Sequence, residues 1–313
     1  MARHFLLIDP IEKLVVKKDS SILLALTLQQ SGHDVFVFFE SDFAYNNRSK
    51  TKVVATKFTG SIDKETSYIN DFKLTDKVEC ELHHYDTLHM RLDPPFDARY
   101  LRVLWMLIAW QEQSGIKVVN SPRGIALHNE KLAAYAREKS LHSFVGASLS
   151  GFESYLLELK KQGVEQLILK PLDLYQGYGV EKVAMSDAPT AFVRKVKEAG
   201  GALVAQPFDS SVLEGEIRSI YWKGRELGTI LKVPPKGQFL ANIAQGATFS
   251  KHELSADLKK ECEDICLELH RDGVDWIAFD ILGDNISEVN ITCPGLLVEV
   301  SKAMGENLAK YIS

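Results

Sequence analysis

The segment Trp276-Ile-Ala-Phe-Asp280-Ile-Leu-Gly-Asp-Asn-Ile-Ser-Glu288-Val-Asn290-Ile-Thr constrains the chain more than any other. Two short runs rich in β-branched and aromatic residues flank Gly283-Asp284-Asn285, which is the signature of a β-hairpin. Folded symmetrically about Asp284, the hairpin sets Asp280 directly opposite Glu288. Asn290 then points the same way as Glu288, because side chains two apart share a strand face. Phe279, Ile281, Val289 and Ile291 fall on the other face, where they can be buried.

Two facing carboxylates about 5 Å apart repel by roughly 3 kcal/mol at an effective dielectric of about 20. Something cationic must offset that. Two carboxylates and an amide oxygen suit Mg²⁺, which takes hard oxygen ligands and shares its other positions with water and phosphate. The competing reading is an edge hairpin whose solvent face merely carries two acids, and the rest of the chain decides between them.

A chain of 313 residues can bury a large core and divides into two or three lobes. The net charge of −5 gives no general attraction to nucleic acid or to an anionic membrane. Anionic ligands must therefore be held by locally placed cations. The N-terminus has four consecutive apolar residues, Phe5-Leu-Leu-Ile8, before Asp9, so neither a signal peptide nor an anchor is expected there. The apolar run Val103 to Trp110 is far below spanning length. These features point to a cytoplasmic protein with no membrane partner. Cys80, Cys262, Cys266 and Cys293 form no CxxC pair, which argues against a disulfide framework or a zinc site. Cys262 and Cys266, one helical turn apart, read as small apolar packing residues. The spacing of His83, His84, His89 and Asp86 fits no standard metal site.

Strand Phe5–Asp9, a helix from a capping Ser20 to about Gly32, and strand Val35–Phe39 open an α/β lobe. A helix over Tyr100–Ser114 and strand Lys117–Asn120 follow, implying a parallel sheet covered by helices. This lobe spans residues 1–122 and lacks a GxGxxG turn, which argues against a dinucleotide site. Residues 123–204 read as a small α+β lobe, with helices over Asn129–Lys139, Glu153–Lys161 and Thr190–Gly200 and strands Gln166–Lys170 and Ala202–Gln206. Residues 205–313 alternate strands with a helix over Ala256–Arg271 and end in a helix from Glu299 to about Tyr311.

Three cations answer the carboxylates. Lys170 ends an apolar strand and precedes a turn bearing Gly177 and Gly179, where backbone N–H groups can approach phosphate oxygens. By itself this pattern also fits a plain turn. Lys131 would pass alone for a helix-surface lysine. Arg218 sits in an otherwise apolar strand, an unusual place unless it pairs with an anion. Together they suggest a clamp for nucleotide phosphates.

At this point the chain resembles the bacterial glutathione synthetase family of ATP-grasp ligases over nearly its whole length. The motifs that carry the likeness are Asp9-Pro-Ile with Lys17-Lys-Asp-Ser20, Arg91-Leu-Asp-Pro-Pro-Phe-Asp97 and Val119-Asn-x-Pro122. Asn129-Glu-Lys-Leu132, Ile168-Leu-Lys-Pro-Leu-Asp173, Gly215-Glu-x-Arg218 and Asn242-x-Ala-x-Gly246 continue it, and the hairpin through Pro294 completes it. The resemblance implies an ATP-grasp fold preceded by an N-terminal substrate domain, with ATP clamped between two antiparallel sheets. It places Lys131 and Lys170 on the phosphates and Asp280, Glu288 and Asn290 on Mg²⁺, with Mn²⁺ as an alternative. Adenine would lie along Ala205-Gln206-Pro207-Phe208, and Gly177, Gly179 and Asn242 would contribute to the nucleotide site. Arg218 and Lys232 would serve the chemistry, in which a substrate carboxylate becomes an acyl phosphate that an amine converts to an amide. It further implies small-molecule substrates, no nucleic acid, and a homo-oligomer, with a tetramer one form.

Three departures concern the substrate rather than ATP. Leu174 and Gln176 occupy positions that are usually glycine in the lid turn. On the substrate loop Lys232 and Leu240 stand where arginines are expected, and lysine does not reproduce a bidentate guanidinium. Gly246-Ala247 replaces a Gly-Gly pair, and Cys293 replaces a serine. The resemblance, with the residues it places on ATP and metal intact, still implies synthesis of glutathione from γ-glutamylcysteine and glycine as the leading activity. A related carboxylate–amine ligase with another amine, and an ATP-binding sensor without ligation, are the alternatives.

Overall fold

The computed structural model describes residues 2–312. Its first sheet begins with β1 (Arg3–Ile8), helix α1 (Ser20–Gln30) and β2 (Asp34–Phe38). A long hairpin, β3 (Lys52–Ile62) and β4 (Ile69–Glu81), follows, then β5 (Thr87–Arg91), α2 (Ala98–Ser114) and β6 (Lys117–Val119). The order is β4-β3-β2-β1-β5-β6. β1 runs parallel to β2 and β5, and β5 to β6, whereas β3 is antiparallel to both β2 and β4. The expected parallel sheet is thus present and extended by an antiparallel hairpin that sequence reading passed over.

Asp19, rather than Ser20, caps α1: its carboxylate accepts from the backbone N–H groups of Ser21 at 2.9 Å and Ile22 at 2.8 Å. That helix is apolar nearly all round because it is enclosed. Its leucines belong to one buried cluster with Leu6, Ile8 and Val37 of the first sheet and with Ile220, Trp276, Leu297 and Val300 from the C-terminal part of the chain. One core therefore joins the first sheet to the last, which fixes the geometry of the cleft between them.

After the short helices α3 (Pro122–Leu127) and α4 (Leu132–Tyr135) comes a four-stranded antiparallel sheet. It contains β7 (Phe144–Gly146), α5 (Leu149–Lys161), β8 (Gln166–Pro171), β9 (Glu181–Ala184), α6 (Ala188–Ala199) and β10 (Leu203–Pro207), in the order β7-β10-β8-β9. The helix expected over Asn129–Lys139 shrinks to the single turn α4. The cause is edge pairing: the carbonyls of Glu130 and Lys139 accept from Val289 N–H at 2.8 Å and Ile286 N–H at 2.9 Å, so both ends of the segment serve the hairpin.

The last sheet is antiparallel, with β11 (Glu216–Trp222), β12 (Arg225–Val233), β13 (Thr248–Lys251), α7 (Ala256–His270), β14 (Trp276–Leu282), β15 (Asn285–Asn290) and α8 (Leu297–Met304). Its order is β13-β12-β11-β14-β15. The terminal helix starts two residues before Glu299 and stops at Gly305, whose φ of 74° makes a left-handed cap. A separate 3-10 turn, Leu308–Tyr311, follows. Cys262 and Cys266 lie buried on α7, and Cys80, Cys262, Cys266 and Cys293 are all free thiols. Asp86 pairs with Arg3 at 2.6 Å, and the ring of His89 meets that of His4 at 3.1 Å. Among the described residues no helix is long and apolar enough to cross a membrane.

Candidate active site

The hairpin forms with Asp280 opposite Glu288, as read from sequence, but by a different route. Leu282 pairs with Asn285, so the turn has two residues, Gly283-Asp284, and alone would place Ser287 opposite Asp280. A bulge between Asp280 and Ile281 restores the pairing. Ser287 Oγ donates to the Asp280 carbonyl at 3.1 Å and fastens it. Phe279, Ile281, Val289 and Ile291 are fully buried on the opposite face.

Three strands then bring charges into one stripe. Register places Arg218 of β11 across from Asp280, and Glu216 of β11 across from Lys232 of β12. Arg218 grips Asp280 with two hydrogen bonds, from Nε to Oδ1 at 2.9 Å and from Nη2 to Oδ2 at 2.7 Å. Lys232 Nζ bridges Glu216 Oε2 at 2.5 Å and Asp280 Oδ1 at 3.1 Å. Lys232 thus lies in a strand and is buried, not on the substrate loop where the resemblance would put it. Asn290 Nδ2 donates to Asp280 Oδ2 and to the Ala278 carbonyl, both at 3.0 Å.

Burial alone would raise the Asp280 carboxyl, but Arg218 and Lys232, with hydrogen bonds from Arg218 and Asn290, outweigh it and hold the group well below the usual range. Burial likewise works against the charge on Lys232, and Asp280 and Glu216 overcome it.

Lys131 enters from the segment before α4. Asn129 Oδ1 accepts from the backbone N–H groups of Lys131 and Leu132, each at 3.1 Å, and fixes that turn. Lys131 Nζ pairs with Glu288 Oε1 at 2.9 Å and donates to the Leu174 carbonyl at 2.9 Å. Glu130, which sequence reading gave no role, anchors the turn: its Oε1 accepts from Ile291 N–H at 2.7 Å and from Thr292 N–H and Oγ1–H, both at 2.8 Å.

Lys170, at the end of β8, has its ammonium 5.4 Å from the Tyr135 ring centre. Burial pulls its pKa down to about 8, with Lys131 assisting and Glu288 opposing. In the turn beyond it, Gly177 and Gly179 have φ of 78° and 71°. Gln176, at a position read as usually glycine, takes φ 52° with a side chain attached, a left-handed conformation that costs roughly 1–2 kcal/mol. The segment after β10 supplies Gln206 and Phe208. Gln206 Nε2 donates to Ser143 Oγ at 2.7 Å, and the Lys182 ammonium lies 3.3 Å from the Phe208 ring centre. Asn242 Nδ2 reaches the Gln176 carbonyl at 3.5 Å, tying the substrate loop to the lid turn.

Most of these groups line one cavity of about 610 Å³, a size suited to a cofactor and substrate together. Lys131, Lys170, Gly177, Gln206, Phe208, Arg218, Lys232, Asn242, Asp280, Glu288 and Asn290 share it; Gly179 is the sequence-read residue that stands behind the wall. The donor set suits a hard divalent cation. Glu288 and Asp280 face one another, Asp280 is held ionised, and a carboxylate has about four lone-pair sites to share.

Models of two families cover the chain: prokaryotic glutathione synthetase, N-terminal domain, over residues 2–126, and prokaryotic glutathione synthetase, ATP-grasp domain, over residues 139–305. A glutathione synthetase of Nitrosomonas europaea is 28% identical over 97% of this chain and 93% of its own. That of Coxiella burnetii is 28% identical over 92% of this chain and 88% of its own. Among solved structures, a D-cycloserine synthetase superposes with TM-score 0.68 at 13% identity, over 99% of this chain and 98% of its own. An ATP-grasp RimK domain protein of Sphaerobacter thermophilus gives 0.59 at 16%, over 99% and 98%. These two establish the fold, ATP-grasp, and the family models cover both halves of the sequence. The chain belongs to the prokaryotic glutathione synthetase family, whose ATP-grasp ligases use ATP to join a carboxylate to an amine.

Proposed function

We propose that the protein makes glutathione, joining γ-glutamylcysteine to glycine with cleavage of ATP to ADP and phosphate. The observation that carries this reading is the stripe Glu216–Lys232–Asp280–Arg218 beside Lys131–Glu288, which lines a cavity shared with the first lobe. Lys131 and Lys170 hold the nucleotide phosphates, Gln206 and Phe208 flank its base, and Asp280, Glu288 and Asn290 hold Mg²⁺ or Mn²⁺. Bound there, the metal neutralises charge on the phosphates.

A substrate carboxylate oxygen attacks the γ-phosphorus and the bond to ADP breaks, leaving an acyl phosphate. The amine nitrogen then attacks the acyl carbon, phosphate departs, and the nitrogen loses a proton. Arg218 and Lys232 place two fixed positive charges where negative charge grows on the transferring groups. Closure of the lid turn on the substrate loop excludes water that would otherwise hydrolyse the acyl phosphate. The proposal also includes a cytoplasmic location and a homo-oligomer, which light scattering of the purified protein tests.

One observation favours a second reading, a related ligase with another amine. Leu240 and Phe239 line the cavity, and Leu240 closes over Gly177, giving the loop an apolar rather than cationic face. Measuring ADP release with γ-glutamylcysteine and glycine, then with other acyl donors and amines, decides between them. Glu288→Ala controls for contaminating ATPase. Turnover that demands a different amine overturns glutathione synthesis.

A further inference from the structure

One carboxylate in the cavity wall has no part in the chemistry above. Glu299 lies in the first turn of α8, is 1% exposed, and lines the cavity, as Lys18, Ser21 and Gly295 do. Apart from the residue's own amide, neither of its oxygens meets a hydrogen-bond donor among the described residues. Lys18 Nζ stands 3.9 Å from Oε1, beyond hydrogen-bond range.

A buried carboxylate without donors is strongly disfavoured unless a partner arrives. An acid in a first helical turn gains from the macrodipole. That role accounts for neither the missing donors nor the position in a substrate cavity.

The place in the fold is informative. β1 has β2 on one side and β5 on the other, so the chain leaves it at a topological switch point, where α/β sheets bind ligands beyond their carboxyl ends. Lys18 precedes α1 there, and Arg91 ends β5 and donates to the Pro294 carbonyl at 2.8 Å, holding the segment that leads to Glu299. Arg218 and Glu299 line the same cavity, and the Arg218 charge acts on Glu299.

We propose that Glu299 and Lys18 together hold the head group of an α-amino acid, Glu299 taking its ammonium and Lys18 its carboxylate. This rests on the ligase reading above and names the part of the substrate that the site selects. A ligand with adjacent opposite charges matches two protein charges 3.9 Å apart. A simple amine would displace Lys18 and leave it unpaired, and a simple carboxylate would set an anion against Glu299. In the free protein Lys18, with its side chain 26% exposed, covers Glu299. On binding, the ligand ammonium takes over the contact and Lys18 turns to the carboxylate.

The test compares kcat/KM for γ-glutamylcysteine and for N-glutarylcysteine, which lacks the α-ammonium. The wild type should prefer the former by roughly 100-fold or more. Glu299→Gln should lose that preference, dropping with γ-glutamylcysteine while changing less than about threefold with the analogue. Equal losses on both, or none on either, overturn the proposal. Should Glu299→Gln fail to fold, Glu299→Asp keeps the charge and should keep the preference with a raised KM; a lost preference counts against us.

If the wild type does not turn over γ-glutamylcysteine, the function reading fails while this one is still tested. Thermal shifts of the protein loaded with Mg²⁺ and a non-hydrolysable ATP analogue are then compared with L-glutamate and with glutarate. Stabilisation by L-glutamate alone, absent in Glu299→Gln, supports the site, and an equal response to both ligands overturns it.

Discussion

Both oxygens of Asp280 are held by the one guanidinium of Arg218, at 2.9 and 2.7 Å, although the two residues are 62 apart in sequence. The pairing exists because β11 and β14 are hydrogen-bonded neighbours with these residues in register. It answers the repulsion expected between Asp280 and Glu288: each acid has its own protein cation, Arg218 and Lys232 for one and Lys131 for the other.

Replacing Asp280 by Asn should therefore cost stability as well as activity. The change leaves the buried Lys232 and the largely buried Arg218 before a neutral amide, which typically costs about 3–5 kcal/mol. The pH dependence follows from the sign of the shift. The folded carboxyl titrates below its ordinary value of 3.8, so its contribution is full above that value and fades as pH falls toward the folded pKa. Urea unfolding should show a large gap between wild type and Asp280→Asn at pH 7 that narrows below about pH 4. A gap that does not change with pH would contradict this account.

Lys170 gives the opposite kind of dependence. Burial holds its pKa near 8 in the free protein, so above that pH much of its charge is lost before nucleotide arrives. Phosphates favour the charged form, so binding takes up a proton in this range. The affinity for Mg-ATP should fall above pH 8 by up to roughly tenfold per pH unit. Lys170→Arg stays charged and should flatten the curve up to pH 10. Calorimetric titrations at pH 7.5, 8.5 and 9.5 check it, and parallel curves for the two proteins would exclude Lys170 as the source.

How much of this was legible beforehand depends on what each residue answers to. The hairpin faces were readable because a strand's period of two is local. The pairing of Asp280 with Glu288 was read correctly, but a bulge at Ser287 that no local signal announces was needed to produce it. Glu130 and Asn120 were invisible as structural hubs, since their partners lie more than 150 residues away. The β3–β4 hairpin is not legible because its strands carry many exposed polar residues and resemble surface loop. The family resemblance places Lys232 on a loop, whereas the alternation of β12 puts it inside the sheet.

Asn120 offers a direct test of the joint between lobes. Its Nδ2 donates to the carbonyls of Trp276 at 2.7 Å and Ile291 at 2.8 Å, and its Oδ1 accepts from the N–H groups of Asp275 at 2.9 Å and Trp276 at 2.8 Å. This one amide holds the ends of both strands that carry the acids. Asn120→Ala leaves buried backbone groups without partners, at about 1–3 kcal/mol for each left unsatisfied. Expected are a loss of at least about 3 kcal/mol in urea and a raised KM for Mg-ATP. A loss below 1 kcal/mol would mean that water replaces the side chain without penalty.

Leu240 is the position at which to test how the substrate loop treats the amine. A Cβ built on Gly177 would stand 3.2 Å from Leu240 Cδ1, so the loop already rests on the lid turn with little room. Gly177→Ala meets both that contact and a φ of 78°, and should raise the KM for ATP with little change in global stability, because the strain is confined to the turn. Leu240→Arg acts differently. It places a guanidinium on the cavity wall, where the carboxylate of a small amino acid can be bound bidentately. If glycine is the amine, this variant should lower the glycine KM by roughly tenfold, equivalent to about 1.4 kcal/mol, with kcat changed little. Steady-state ADP release at saturating Mg-ATP and γ-glutamylcysteine measures it. An unchanged or raised glycine KM would show that the loop's apolar face belongs to a different acceptor.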